Sequence, residues 1–410
     1  MIRRNIEPFI TEALADTPVI LVNGARQTGK TTLVRALASE LPKTTYVNLD
    51  DPAVRAGAAA DPRGFLDGLA GTVVIDEAQM VPALFRTIKM IVDEDRRPGR
   101  FILTGSANIL MLPKIAESLV GRMEILTLRP FSQGELEGRN ETFIRRLFSG
   151  KGFGIRSRSH SGLSLAQRIH RGGYPEAIRR GAGRRRIWFS SYLTMILQRD
   201  VRDLSNIAGL LEMPRLLALL ASRSATLLNI SELSRSAGIP HTTLQRYLVL
   251  FEAAFLIHRI PAWSANVSKR LVKSPKILQG DTGFMSHLLN ASEEAVLRND
   301  SLSGRFLETF IGCELLKQIE WDALKPALMH YRRAAGQEVD YVLEEGAGRV
   351  VGIEVKSSHT VTAHDFIGLR CLAEDAGAKF AAGVILYAGD KAVTFGPHLW
   401  AVPIAEMWSV

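Results

Sequence analysis

One stretch near the N-terminus restricts the fold of this chain more than any other. The run Pro18-Val-Ile-Leu-Val22 is short, continuous and apolar, as a strand buried on both faces must be. Asn23 follows, and then Gly24-Ala-Arg-Gln-Thr-Gly-Lys-Thr31, which meets the GxxxxGK[ST] pattern at every fixed position. From Thr32 a helical pattern places Leu33, Leu37 and Leu41 on one stripe. Strand, glycine-rich loop and helix in that order make a phosphate cradle. The loop turns its N–H groups toward the phosphates, and the helix N-terminus adds partial positive charge. The candidate nucleotide-binding residues are Gly24, Ala25, Arg26, Gln27, Thr28, Gly29, Lys30, Thr31 and Thr32. Lys30 is expected to reach the β- and γ-phosphates of ATP, and the Thr31 hydroxyl to ligate Mg²⁺.

Two further strands are expected to end at the same edge. Thr72-Val-Val-Ile-Asp-Glu77 closes on two carboxylates, Asp76 to hold Mg²⁺ and Glu77 to act as general base on the attacking water. Gly99-Arg-Phe-Ile-Leu-Thr-Gly-Ser106 delivers Thr104 and Ser106, which can sense the γ-phosphate or, for Ser106, cap a following helix. Arg122 is a candidate arginine finger toward a neighbouring subunit or an ordinary surface arginine. Gln79 receives no role from its position.

The set GARQTGKTT, VVIDEAQ, ILTGSAN, GRMEILTLRPFSQGE and GGYPEA resembles the prokaryotic AAA-type ATPases whose C-terminal half is the domain called DUF4143. The first two motifs are shared by many ATPases; GR…LRPFSQGE and GGYPEA are more particular to this family. The likeness runs over nearly the whole chain and is weakest across residues 139–163. It implies an ATP-binding protein and says little about its biological role.

The remaining pattern predicts an α/β chain of several units, consistent with 410 residues. The fold class expected is a P-loop NTPase core (1–138), a basic linker and helical segment (139–210), a winged helix-turn-helix (211–265) and a restriction-endonuclease-like, PD-(D/E)xK-type α/β domain (266–410). Residues 139–163 are rich in Gly, Ser and Arg and read as a linker or mobile excursion. No stretch approaches the roughly 20 apolar residues of a membrane-spanning helix, and no signal-like segment opens the chain. Cys313 and Cys371 lack metal-type spacing and read as buried thiols. A cytoplasmic protein is expected.

A formal charge of +9 makes DNA a candidate partner. Arginines at 168, 171, 179, 180 and 184–186 can track a phosphate backbone or form a solvated connector. The order helix, helix, Gly238 turn, helix, strand over residues 216–262 predicts a winged helix whose third helix offers His241, Thr242, Thr243, Gln245 and Arg246 to a groove. Packing beside the ATPase is the alternative use of such a helix. From Arg305 the order αβββαβ, with Glu308, Asp340, Glu354 and Lys356, resembles the PD-(D/E)xK nuclease core. Strand alternation puts Glu354 and Lys356 on one face, with Ile353 and Val355 toward the core. Asp340 and Glu354 are candidate metal ligands, Lys356 a stabiliser of charge on phosphate, and an inactive fold is equally compatible. Two functions are therefore carried forward. One is an ATPase acting on or near DNA, with or without cleavage; the other is an ATP-regulated switch contacting a protein partner. A homo-oligomer is a candidate assembly for either.

Overall fold

The computed structural model describes residues 2–106, 119, 121–153, 163–201, 212–298 and 300–409. Apolar runs near the N-terminus form five strands: β1 (Val19–Asn23), β2 (Thr44–Asn48), β3 (Thr72–Asp76), β4 (Phe101–Gly105) and β5 (Met123–Thr127). They are parallel, in the order β2-β3-β4-β1-β5. Alternation along them feeds two cores. Val19, Leu21, Ile75 and Leu103 pack on Leu84, Phe85 and Ile88 of helix Ala83–Glu94. Ile20, Val22, Val74 and Ile102 pack on Leu33, Val34 and Leu37 of helix Lys30–Glu40, and on Ile10 of helix Glu7–Asp16. Helices on both faces bury the central strands completely, which is why those strands read as unbroken apolar runs.

A helical middle follows, with helices Leu165–Arg171, Ala182–Met195, Met213–Ser222, Ile230–Ala237 and His241–Ala253 among its members. It closes on an antiparallel pair, β6 (Ile257–Ile260) and β7 (Lys276–Gln279), in the register Ile257↔Gln279 and Ile260↔Lys276. The second strand of this pair lies beyond residue 265, so a unit ending there would be cut through its own sheet. The sequence hides this boundary because β7 is only four residues long and follows its partner after a 15-residue excursion.

The C-terminal part opens with helix Asp300–Ile319 and builds β8 (Ala327–Arg332), β9 (Glu338–Glu344), β10 (Val350–Lys356), β11 (Phe380–Tyr387), β12 (Val393–Gly396) and β13 (Leu399–Pro403). The sheet order is β12-β13-β11-β10-β9-β8. β8, β9 and β10 form an antiparallel meander, and helix Ile367–Ala376 carries the chain over to β11, parallel to β10.

The stretch expected to be a linker behaves differently where it is described; residues 154–162 lie outside the described residues. Helix Phe143–Phe148 buries Phe143, Ile144, Leu147 and Phe148 to within 3% of full occlusion, among Phe306, Phe310, Val384 and Leu386 of the C-terminal core. Arg349 Nη1 donates to Phe148 O at 2.9 Å. The neighbouring Gly and Ser residues masked an apolar stripe at i, i+1, i+4 and i+5.

The GGYPEA segment ties the layers together. Gly173 N donates to Asp281 Oδ2 and Gly173 O accepts from Phe131 N, both at 2.8 Å. A Cβ on Gly173 would lie 2.3 Å from Phe131 O, so only glycine permits this approach. If residues 143–148 are core rather than connector, Phe143→Ala should lower the unfolding free energy of the C-terminal transition by roughly 3–5 kcal/mol. Urea unfolding checks this, and an unchanged midpoint would return the segment to a linker role.

Candidate functional site

The C-terminal edge of the five-stranded sheet gathers the P-loop and the residues around it. β1 ends at Asn23, level with Gly105 of β4 and Thr127 of β5. Gly24 has φ +145°, and a Cβ there would lie 2.2 Å from Leu128 O, so the loop leaves the strand only through glycine. Lys30 is 5% exposed and folds back, its Nζ donating to Gly24 O at 2.9 Å and Ala25 O at 2.8 Å. Thr28 Oγ1 donates to Ala25 O at 3.0 Å. Thr31 is half-buried on the first turn of the helix, while Gln27 and Thr32 are exposed.

β4 lies between β1 and β3, and its side chains organise the carboxylates of β3. Asp76 is 2% exposed and accepts from Tyr46 Oη at 2.7 Å and from Thr104 Oγ1. Glu77 N donates to Thr104 Oγ1 at 2.9 Å, so one hydroxyl fixes both acidic residues. Glu77 takes φ +59°, an uncommon backbone state for a residue with a side chain. Gln79 Nε2 donates to Glu77 Oε2 and, at 3.0 Å, to Ser106 Oγ. Gln79 therefore bridges the carboxylate to the end of β4. Tyr46, which no sequence motif marks, has its phenol pushed up to about 12 by burial and by its bond to Asp76. The Arg35 guanidinium sits 4.8 Å from its ring centre.

Arg122 is not brought to this edge. It immediately precedes β5, whose first residue pairs with Val19, so it sits at the opposite, N-terminal edge of the parallel sheet. There it pairs with Asp93, whose carboxyl it holds below the ordinary range.

A second cluster forms where helix Asp300–Ile319 crosses β7, β9 and β10. Asp340 Oδ2 accepts from Val355 N at 2.9 Å, and Lys356 Nζ lies 3.2 Å from Glu354 Oε1, which fits the expected shared face of Glu354 and Lys356. Ile353 is fully buried and Val355 partly so. The residue that the sequence does not announce is Lys276 of β7. Its ammonium pairs with Glu308 and stands 3.5 Å from Asp340 Oδ1. Burial alone would lower its pKa; Asp340 and Glu308 outweigh burial, and it is raised. Burial, then repulsion by Asp340, pushes the Glu308 carboxyl up to about 8 and the Glu354 carboxyl well above the usual range. Among the described residues no three His, Cys, Asp or Glu side chains group as ligands of one ion. The nearby Arg332 and Arg333 pair with Glu338 and with Glu374 and Asp375.

On helix His241–Ala253, His241, Thr242, Gln245 and Arg246 are exposed along one face and Thr243 is half-buried, while Leu244, Tyr247 and Leu248 face the core. Of the basic residues before it, Arg168 bonds Gln133 and Glu137, Arg171 bonds Ile178 O and Arg180 pairs with Glu176.

Comparison with known proteins fits this layout. Residues 16–137 match the model of an AAA domain, 163–295 that of a domain of unknown function, DUF8612, and 303–407 that of the domain of unknown function DUF4143. Over 407 residues the chain is 31% identical to the uncharacterized protein Rv2008c of Mycobacterium tuberculosis, a match spanning 99% of this chain and 84% of the relative. The uncharacterized protein Mb2031c of Mycobacterium bovis matches with the same figures. The chain belongs to the same family as these two proteins, and in this chain an AAA domain is followed by a DUF4143 domain. Among solved structures, a point variant of Thermotoga maritima RuvB is similar at 18% identity and TM-score 0.30, over 63% of this chain and 89% of that one. Drosophila ORC bound to AT-rich DNA and Cdc6 is similar at 10% identity and TM-score 0.21, over 70% and 90%. At such scores these two likenesses support no functional statement.

One arginine that lies outside every sequence motif ties the P-loop to the segment that touches the DUF4143 domain. Arg4 is 5% exposed and donates Nη1 to Thr28 O in the P-loop at 2.8 Å, Nη2 to Arg129 O at 2.6 Å and Nε to Glu135 Oε1 at 3.0 Å. Glu135 closes a capping box with Ser132. The next residue, Gln133, donates its N–H to Glu314 Oε2 of the DUF4143 domain at 2.9 Å. The LRPFSQGE segment thus serves as the joint between the two domains.

The carboxyl cluster gives a pH test. From about pH 4.5 to 8 the folded state keeps a proton on Glu308 that the unfolded chain has released. Stability must therefore fall as pH rises through that window, with the full penalty present above 8. Glu308→Gln should lose less stability between pH 5 and 8 than the parent. Parallel urea midpoint shifts in the two proteins would remove Glu308 from the account.

Proposed function

We propose that the chain is a Mg²⁺-dependent ATPase whose hydrolysis site is the C-terminal edge of the AAA sheet. The observation that carries this reading is the hydrogen-bonded chain Tyr46–Asp76–Thr104–Glu77–Gln79–Ser106 at the C-terminal ends of β3 and β4, on the same sheet edge as the P-loop and its buried Lys30. Gly24 to Thr32 surround the phosphates of ATP with backbone N–H groups, and Lys30 swings from its loop carbonyls to the β- and γ-oxygens. The donor set fits a hard divalent ion: the Thr31 hydroxyl and the Asp76 carboxylate are oxygen ligands, and Asp76 is fixed in one orientation by Tyr46 and Thr104. Mg²⁺ held there supplies charge neutralisation on the β- and γ-phosphate oxygens. Glu77 takes the proton of the attacking water, aimed by Gln79, while Ser106 faces the γ-phosphate.

Lys30→Ala should abolish ATP turnover, because it removes the ammonium aimed at the transferred phosphoryl group. Glu77→Gln keeps the shape and loses the base, so it should bind ATP and turn over at least roughly a hundred-fold more slowly. Equilibrium binding of a fluorescent ATP analogue, read beside phosphate release, separates the two. Wild-type turnover in either variant would refute its residue's role.

The helical order with the β6–β7 pair supports a winged helix, and the exposed face of His241, Thr242, Gln245 and Arg246 supports DNA as its partner. Arg246→Ala should weaken DNA binding and flatten its salt dependence by about one unit of slope, leaving ATP turnover without DNA unchanged. Unaltered affinity and slope would make this helix a packing element.

For the DUF4143 domain the meander, crossover helix and parallel strand fit a nuclease-like PD-(D/E)xK fold. Lys276 favours the reading in which that fold no longer cuts: its ammonium already stands between Glu308 and Asp340, the place a metal ion would take. On this reading the domain is a binding surface governed by the nucleotide state of the AAA domain.

A further inference from the structure

Away from both sites, a cavity of about 420 Å³ opens between helices Leu165–Arg171, Ala182–Met195 and Thr282–Leu288. This volume falls within the roughly 300–1,000 Å³ usual for small-molecule sites. Its basic wall is made by His170, Arg185, Arg186 and His287, and its acidic rim by Glu293 and Glu294. Arg185 is half-buried. Its Nη2 donates to Arg180 O at 3.2 Å and its Nη1 lies 3.5 Å from His170 Nδ1, but its Nε is buried with no partner. His287 Nδ1 is buried and unpartnered as well. Among the described residues neither Arg185 nor Arg186 forms an ion pair, although Glu293 and Glu294 line the same cavity.

Withdrawing a guanidinium from water without a carboxylate in contact is costly, and leaving two nitrogens unbonded adds to the cost. Two guanidinium and two carboxylate groups line the cavity, with no carboxylate among the described residues in ion-pair contact with either arginine. Burial, then the nearby Arg171, holds Arg185 below its ordinary range; burial, then Arg186, does the same to His287. An anion accepting from Arg185 Nε and His287 Nδ1 would satisfy both orphaned atoms. The ring of Phe189, 1% exposed, lies 26° from the plane of His287 at 5.8 Å between centres and backs the imidazole from the core side. Glu293 and Glu294 can accept hydrogen bonds from hydroxyl groups, whereas they repel a bare anion.

We propose that this cavity binds a phosphorylated sugar or similar small phosphate ester, with Arg185 and His287 on the phosphate and Glu293 and Glu294 on the hydroxyls. Bidentate arginine geometry suits phosphate oxygens. The site is separate from the P-loop, so its ligand is a second, independent small molecule.

The test is calorimetric titration of the full chain carrying Lys30→Ala, which removes phosphate binding at the P-loop, with ribose 5-phosphate and with inorganic phosphate. Ribose 5-phosphate should bind saturably, and inorganic phosphate at least roughly ten-fold more weakly. Arg185→Leu should weaken ribose 5-phosphate by about ten-fold or more. His287→Phe keeps the ring and removes Nδ1; it should weaken binding several-fold with an unchanged circular dichroism spectrum. That variant decides the matter if Arg185→Leu fails to fold. Absence of saturable binding, or equal affinity in His287→Phe and its parent, overturns the site. Inorganic phosphate binding as tightly as the ester overturns the assignment of the ligand.

Discussion

The buried guanidinium of Arg4 ties the P-loop to the segment on which the C-terminal half is seated. It holds a P-loop carbonyl, a carbonyl at the end of the AAA sheet and the carboxylate of Glu135 at once, and packs 4.4 Å over the Phe131 ring. With both partners 6% exposed or less, the Arg4–Glu135 pair is worth little as net stability against an apolar substitute. Breaking it is another matter: an uncompensated buried charge costs roughly 3–5 kcal/mol. Such a contact serves geometry. It fixes the height of the P-loop relative to the segment on which the C-terminal half is seated.

That segment leads into a dense polar seam. Ser132, Gln133 and Gly134 bond Glu141 and Glu314, while Lys317 bonds Glu314 at 2.6 Å and Phe131 O at 3.0 Å. Burial, then repulsion from Glu314, drives the Glu141 carboxyl well above its usual range. Helix Asp300–Ile319 carries Glu314 and Lys317 on this seam and Glu308 in the C-terminal carboxyl cluster. Glu308 and Glu314 are about 9 Å apart along a rigid rod. One helix therefore connects the base of the nucleotide loop to the cluster around Lys276.

What could be read in advance follows from distance along the chain. The P-loop, the acidic end of β3 and the polar end of β4 each lie within a short run whose apolar pattern announces a strand, and their elements stand within a few residues of the expected bounds. Glu354 and Lys356 share a face because pleating forces it. The roles of Tyr46, Gln79, Arg4 and Lys276 were not legible. Arg4 meets Glu135 across 131 residues, and Lys276 meets Glu308 across 32 and Asp340 across 64. No periodicity records such meetings. The linker reading failed for a related reason: composition averages over a window, and the buried stripe of residues 143–148 was diluted by its neighbours.

By itself the sequence determined the local chemistry: a loop that turns tightly because Gly24 can, strands buried because they are apolar throughout, and a helix that presents Leu33 and Leu37 on one stripe. Tertiary structure decided which of these groups meet. Placing β4 between β1 and β3 brought Thr104 onto Asp76 and Glu77, and entering β5 from the far edge carried Arg122 away from them. Packing β7 beneath helix Asp300–Ile319 put an ammonium between Glu308 and Asp340, the latter a residue that the sequence pattern had assigned to a metal. Backbone conformation and burial pattern follow from neighbouring residues, whereas electrostatics depends on distances through space, and only the packed fold sets those.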